Sequence, residues 1–239
     1  MILFPFIFDK VTNNQNIFYM KTTVFMPIKL NNERTPGKNL KSFDDGTLLF
    51  QLPLKTALEA KKEGGIDRIV VFCSNEDIIK YIPEGVEFIK RPDYLDTQAI
   101  RCGDIIEAFL KTVDSDLYVM YHATSPFITK EHLLECINAV KSGRYDSAFA
   151  AKKLQNFMWF DNKPLNFALD CAPRTQDMKP YFCELSSPYV FTKAIFEKYH
   201  GRTGENPYIC ECTEIEAIDI DYPEDFVLAN AVYMSLIKK

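Results

Sequence analysis

The sequence predicts a single α/β domain, a mostly parallel sheet with helices on both faces and one small insertion. Two observations carry that expectation. From Lys21 onward, short apolar runs alternate with helical periods, the pattern of βαβ units whose strands are covered on both sides. The 239 residues are 47% hydrophobic, with 19 Phe and 12 Tyr, enough for a chain of this size to bury roughly 70–75% of its unfolded surface.

Taken in order, Thr22–Pro27 reads as the first strand, Leu49–Lys62 as a helix and Arg68–Cys73 as the second strand. Val86–Ile89 reads as a short strand, Ala99–Thr112 as a helix and Leu117–Tyr121 as a strongly apolar strand. After Pro126, Leu133, Leu134, Ile137 and Val140 recur at helical spacing, with Thr129 to cap the start and Gly143 past the end. Tyr145–Ala151 returns as a strand. Periodicity weakens across 152–188, where an insertion, lid or dimerisation arm would sit. Tyr189–Phe191 and Tyr208–Cys212 then read as strands, with helices near Lys193–Tyr199 and from Pro223 to Ile237. In such a fold the site lies at the carboxyl ends of the strands.

Charge narrows the partners. With 28 Lys and Arg against 33 Asp and Glu, the net charge is −5, and without a long basic tract the chain is not a nucleic-acid coat. No stretch approaches the ~20 apolar residues of a membrane span. Apolar Met1–Phe8 is short, broken by Pro5 and without a basic flank, so it does not read as an export signal. Met20 is the expected start, with residues 1–20 a peripheral extension before a domain over 21–239. The seven cysteines include no C-x-x-C pair and read as isolated, buried, reduced thiols of a cytoplasmic protein. Alternation puts Cys210 and Cys212 on one strand face.

Three segments could carry chemistry. The loop after the first strand holds Lys29, Arg34, Lys38 and Lys41 against Glu33, a local +3 suited to a polyphosphate. It lacks the spacing of a Walker A loop. In Ile218-Asp219-Ile220-Asp221 the two carboxylates face the same side of an extended segment, and such a pair calls for a hard cation such as Mg²⁺. Glu224 and Asp225 that follow are first-turn helix residues. Tyr121-His122-Ala123-Thr124-Ser125-Pro126 ends a strand and puts His122 at the cleft or half-buried beside it. Arg91 and Arg174 suit phosphate or carboxylate recognition, or a surface ion pair.

Together these residues resemble the acylneuraminate cytidylyltransferases, the CMP-sialic acid synthetase family, related to the enzymes that activate 3-deoxy-manno-octulosonate. The likeness runs from about Thr23 to Ala231. Its markers, in order, are Pro36-Gly37-Lys38-Asn39-Leu40, then Asp67-Arg68-Ile69-Val70-Val71 with Cys73-Ser74-Asn75-Glu76, Arg91-Pro92, Ala123-Thr124-Ser125-Pro126, Arg174-Thr175-Gln176-Asp177 and Ile218-Asp219-Ile220-Asp221.

The resemblance implies a Rossmann-like nucleotidyltransferase domain that transfers CMP from CTP to the anomeric hydroxyl of an α-keto acid sugar, releasing pyrophosphate. It implies Lys29, Arg34, Lys38, Asn39, Ser74 and Arg91 at the nucleotide, with Lys38, Asp221 and Arg174 catalytic. Asp219 and Asp221 would hold Mg²⁺ or Mn²⁺. His122, Thr124, Ser125, Arg174, Gln176 and Tyr189 would meet the sugar, and the 152–188 region would form a homodimer contact.

The chain also departs from the family pattern. Lys29-Leu30-Asn31-Asn32-Glu33 stands where the family usually has Arg-Gly-Gly-Ser-Lys, His122 where it has Gln, Ile128 where Arg is frequent, and Leu185-Ser186-Ser187-Pro188 where Asn-Gly-Ala-Ile is typical. The sugar could therefore be N-acetylneuraminate, or a Kdo-, legionaminate- or pseudaminate-like acid. A glycosyltransferase using Asp219-Ile220-Asp221 as a D-x-D motif is the other class, and a nucleotide-binding but silent relative is a third.

Overall fold

The computed structural model describes residues 19–31, 35 and 37–238. Arg34, Glu33 and the extension up to residue 18 lie outside the described residues, and so do the expectations placed on them.

The elements are β1 (Thr22–Ile28), α1 (Gln51–Lys62), β2 (Arg68–Cys73), β3 (Glu87–Lys90), α2 (Cys102–Thr112), β4 (Leu117–Met120), α3 (Lys130–Lys141), β5 (Ser147–Leu154), β6 (Trp159–Phe160), β7 (Lys163–Pro164), β8 (Tyr181–Phe191), α4 (Lys193–Tyr199), β9 (Pro207–Cys212) and α5 (Pro223–Val232). Seven strands form one sheet in the order β3-β2-β1-β4-β8-β5-β9. All its pairings are parallel except those of β8, which runs antiparallel to both β4 and β5.

Both faces of the sheet are covered because neighbouring residues of each strand point opposite ways. Val24, Met26, Ile69, Val71 and Val119 pack against Leu54, Ala57 and Ala60 of α1 and Leu133, Ile137 and Val140 of α3. Phe25, Val70, Phe72 and Tyr118 pack on the other face against Ile106, Phe109 and Leu110 of α2, and Phe25 stacks on Phe109 with ring centroids 4.1 Å apart. A third cluster joins Phe43, Phe127, Ile220, Phe226 and Tyr233 and docks α5 beside the loop that follows β1. No helix of the described residues is long and apolar enough to cross a membrane.

Three differences from the sequence reading have physical causes. The strand expected at Tyr189–Phe191 begins eight residues earlier, at Tyr181. Its first four residues are exposed, so no burial period marks them, and Pro188 interrupts the run. The final helix ends at Val232 and continues as a wider π turn over Tyr233–Ile237. The cysteines are not uniformly buried or isolated: Cys171 and Cys183 are exposed, while Cys210 has sulfur contacts to both Cys136 and Cys212.

Candidate active site

The carboxyl ends of β1 to β4 open into a cleft of about 670 Å³, lined by Lys29, Thr35, Lys38, Arg91, His122 and Arg202 over an apolar floor of Leu95, Ile100, Ile105 and Met120. Lys29, Thr35, Lys38, Arg91 and His122 arrive on loops that leave strand ends, as α/β architecture dictates, and Arg202 comes from the turn between α4 and β9.

Lys38 opens a short 3-10 helix, Lys38–Leu40, entered through Gly37 at φ 69°. That left-handed conformation suits glycine, which has no Cβ to clash. The turn aims the lysine inward, and only 8% of the residue is exposed. Its Nζ donates to the Ile220 carbonyl at 2.8 Å and lies 3.1 Å from Asp221 Oδ1. Thr35 Oγ1 donates to the Asp221 carbonyl at 2.9 Å, and Asn39 Nδ2 donates to the Lys29 carbonyl at 2.8 Å. The basic loop is thus tied to the aspartate segment before α5, about 180 residues away. Asn39 acts on the loop backbone.

Ile220, between Asp219 and Asp221, is buried. Asp219 Oδ2 accepts from Ser186 Oγ at 2.6 Å, while its buried Oδ1 has no hydrogen-bond partner among the described residues. The Ile220 N–H donates to the Thr124 carbonyl at 3.0 Å, so the Thr124-Ser125 turn positions the carboxylates through its backbone.

Arg91 follows β3 and is 2% exposed. It pairs with Asp96, whose other oxygen accepts from Ser74 Oγ at 2.5 Å. Ser74 therefore reaches the cleft through Asp96 and Arg91. The buried Arg91 Nε has no partner among the described residues, so the guanidinium keeps a donor unused by the protein.

His122 is half-buried beside these cations. Burial, the Arg202 guanidinium and the Lys38 ammonium together push its pKa down to about 4. The ring is neutral at physiological pH and can both accept and donate. Tyr189 lies beneath Arg202, whose guanidinium carbon sits 3.6 Å from its ring centroid. Its hydroxyl lies between Glu184 Oε2 at 2.9 Å and the Leu185 carbonyl at 2.8 Å. Burial raises the phenol to about 12. Tyr189 is thus a platform for Arg202.

Lys29, Lys38, Arg91 and His122 converge on the cleft. Arg174 and Gln176 do not line it: both are exposed on the arm after β7, where Arg174 pairs with Asp177 at 2.7 Å. Sequence reasoning missed Arg202, Asp96 and Thr35. Arg202 stands in the turn His200-Gly201-Arg202-Thr203-Gly204 before β9. A Cβ at Gly204 would come 2.4 Å from the Asp146 carboxylate, so glycine is needed where this turn meets β5, and that glycine pair was the available signal.

Comparison with known proteins decides the family. A model described as cytidylyltransferase matches residues 23–232. The chain belongs to the cytidylyltransferase family. It is 26% identical over 205 residues to N-acylneuraminate cytidylyltransferase A of Danio rerio and to N-acylneuraminate cytidylyltransferase of Oncorhynchus mykiss, covering 82% of this chain and 46% of each relative. It spans about half the length of these curated relatives. Solved structures agree in fold. 4-Diphosphocytidyl-2C-methyl-D-erythritol synthase from Anaerococcus prevotii superposes with TM-score 0.63 at 19% identity, over 90% of this chain and 98% of that one. The CMP:2-keto-3-deoxy-manno-octonic acid synthetase complexed with CTP gives 0.66 at 14% identity, with the same coverages. This member of the cytidylyltransferase family therefore has the Rossmann-like nucleotidyltransferase fold, and its cleft stands where that fold gathers strand ends and loops.

Proposed function

We propose that the chain transfers CMP from CTP to the anomeric hydroxyl of a sialic-acid-like α-keto acid sugar, releasing pyrophosphate. The observation that carries the reading is the cationic cleft of Lys29, Lys38, Arg91 and Arg202, with the Asp221 carboxylate 3.1 Å from Lys38 Nζ, in a chain related to N-acylneuraminate cytidylyltransferases.

In the reaction the anomeric oxygen bonds to the α-phosphorus while the bond to the bridging oxygen of pyrophosphate breaks. Negative charge builds on the leaving group and the equatorial oxygens, so fixed cations that need no reorganisation lower the barrier. Lys38 and Lys29 face that charge. Arg91, held by Asp96, lines the cleft wall with a guanidinium suited to a nucleotide phosphate. Arg202, flat on Tyr189, suits the sugar carboxylate, and neutral His122 hydrogen-bonds sugar hydroxyls.

Asp219 and Asp221 would hold Mg²⁺ or Mn²⁺. The fit rests on the buried, unpartnered Oδ1 of Asp219 and on hard oxygen donors two residues apart. When bound, such an ion polarises phosphoryl oxygens and the attacking hydroxyl.

The arm of 152–188 carries exposed Phe157, Trp159, Phe160, Leu165 and Leu169. An apolar surface of that kind favours a homodimer, in which Arg174 and Gln176 of one copy would reach the sugar site of the other. The cytoplasm supplies the CTP. Titration calorimetry with CTP, UTP and ATP, followed by pyrophosphate release with a panel of α-keto acid sugars, tests the reading. CTP-selective binding and turnover of one acid support it. CTP binding without turnover on any acid marks a silent relative. UDP-sugar hydrolysis without CTP use points to a glycosyltransferase instead.

A further inference from the structure

On the sheet face away from the cleft's apolar floor, α3 and β9 bring together residues that the cytidylyl chemistry does not use. His132 and Cys136 stand one helical turn apart on α3, so they share a face. Cys210 and Cys212 alternate on β9 and share a face of the strand. One ring nitrogen of His132 and the sulfurs of Cys210 and Cys212 all lie within 4.8 Å of one another. Cys136 contacts Cys210 sulfur to sulfur. The three thiols are buried, and His132 is half-buried with its side chain 25% exposed.

A second observation concerns how the imidazole is held. Glu216 is 2% exposed and lies 2.6 Å from His132 Nδ1. The carboxylate is fixed by the N–H and hydroxyl of Thr129 and by the N–H and hydroxyl of Thr213, at 2.8–3.0 Å. A buried carboxylate on the Nδ1 of a histidine fixes the ring and the tautomer, leaving Nε2 with its lone pair. Metal-ligating histidines almost always donate their other ring N–H to a carboxylate, a backbone carbonyl or water, and here it is a carboxylate.

The geometry points to a structural zinc site made by His132, Cys210 and Cys212, with Cys136 as the fourth ligand. A tetrahedral zinc with ~2.3 Å bonds to sulfur sets its ligand atoms about 3.7 Å apart, so His132, Cys210 and Cys212 need to contract by up to about 1 Å, and Cys136, which lies outside their 4.8 Å group, by more. Soft sulfur donors with one imidazole select zinc over the hard magnesium ion of the aspartate site. Binding releases a proton from each ligating thiol. The ion pins the start of α3 to β9, the edge strand of the sheet, and the exposed side of His132 provides the entry path.

Cobalt substitution of the reduced full-length protein tests this. About one Co²⁺ per chain should bind with the thiolate-to-cobalt charge-transfer band and the visible bands of a tetrahedral ion, unchanged by CTP. Asp219 and Asp221 offer no sulfur and cannot produce that band. Cys212→Ser should abolish it, and Cys183→Ser, at an exposed thiol, should leave it intact. If Cys212→Ser does not fold, His132→Gln carries the test through a shift of the visible bands. A strong chelator should lower the Tm of the zinc-loaded protein. Absence of a thiolate band in reduced wild type, or bands untouched by Cys210→Ser and His132→Gln, overturns the proposal. Because the readout is spectroscopic, it stands or falls independently of turnover.

Discussion

Lys38 Nζ sits 3.1 Å from Asp221 Oδ1 and 2.8 Å from the carbonyl of Ile220, so one buried ammonium joins the basic loop to the acidic segment. The pair serves two ends: it closes the cleft over a long sequence separation, and it holds a cation where a polyphosphate would lie beside the carboxylates.

Replacing either partner separates those roles. Lys38→Ala should lower kcat about 100- to 1,000-fold, the usual cost of removing one fixed charge from a transition-state site. Asp221→Ala should abolish turnover while circular dichroism stays native. Wild-type rates in Asp221→Ala refute the assignment.

Arg91 depends on Asp96. Asp96→Asn leaves a buried guanidinium without its counter-charge, at about 1–3 kcal/mol or more. Urea unfolding should read that loss, with a raised KM for CTP. Unchanged stability and KM together would show that Arg91 needs no carboxylate partner.

His122 sets an acid limit. Its pKa is about 4 in the fold against 6.5 for the free side chain, so between those values the unfolded chain binds more protons than the folded one. Stability should therefore fall as pH drops from 6.5 toward 4 and be flat with respect to this group above 6.5. His122→Gln should remove that component from a Tm-against-pH curve. An identical acid slope in the variant would contradict the depressed value.

Arg202 lies flat on Tyr189, where planarity matters. Arg202→Lys keeps the charge but loses the stack and the fork, so KM for the acid sugar should rise while CTP affinity changes little. Loss of CTP affinity instead would place Arg202 on the nucleotide.

Much of this was legible from sequence because buried strands carry their own record. Arg68–Cys73 is a β-branched and aromatic run with both faces covered, and the structure has the same limits. Lys38 and the aspartate pair were legible because charge in a strand-end loop and alternating carboxylates are local patterns. What escaped is non-local. Asp96 counts only because Arg91 and Ser74 fold onto it. Arg202 is one arginine in a turn until Tyr189 lies under it. The shared face of Cys210 and Cys212 was visible, but His132 lies 78 residues from Cys210 and reaches it only when α3 docks on β9. The start of β8 was hidden because exposed strands need not alternate.

Cytidylyl transfer itself is read by phosphorus NMR of CTP with Mg²⁺, the full chain and each candidate acid sugar. With one sugar the CTP signals should give way to equal amounts of a CMP phosphodiester and pyrophosphate. CTP left intact with every sugar, or decay to CDP and phosphate, would contradict it.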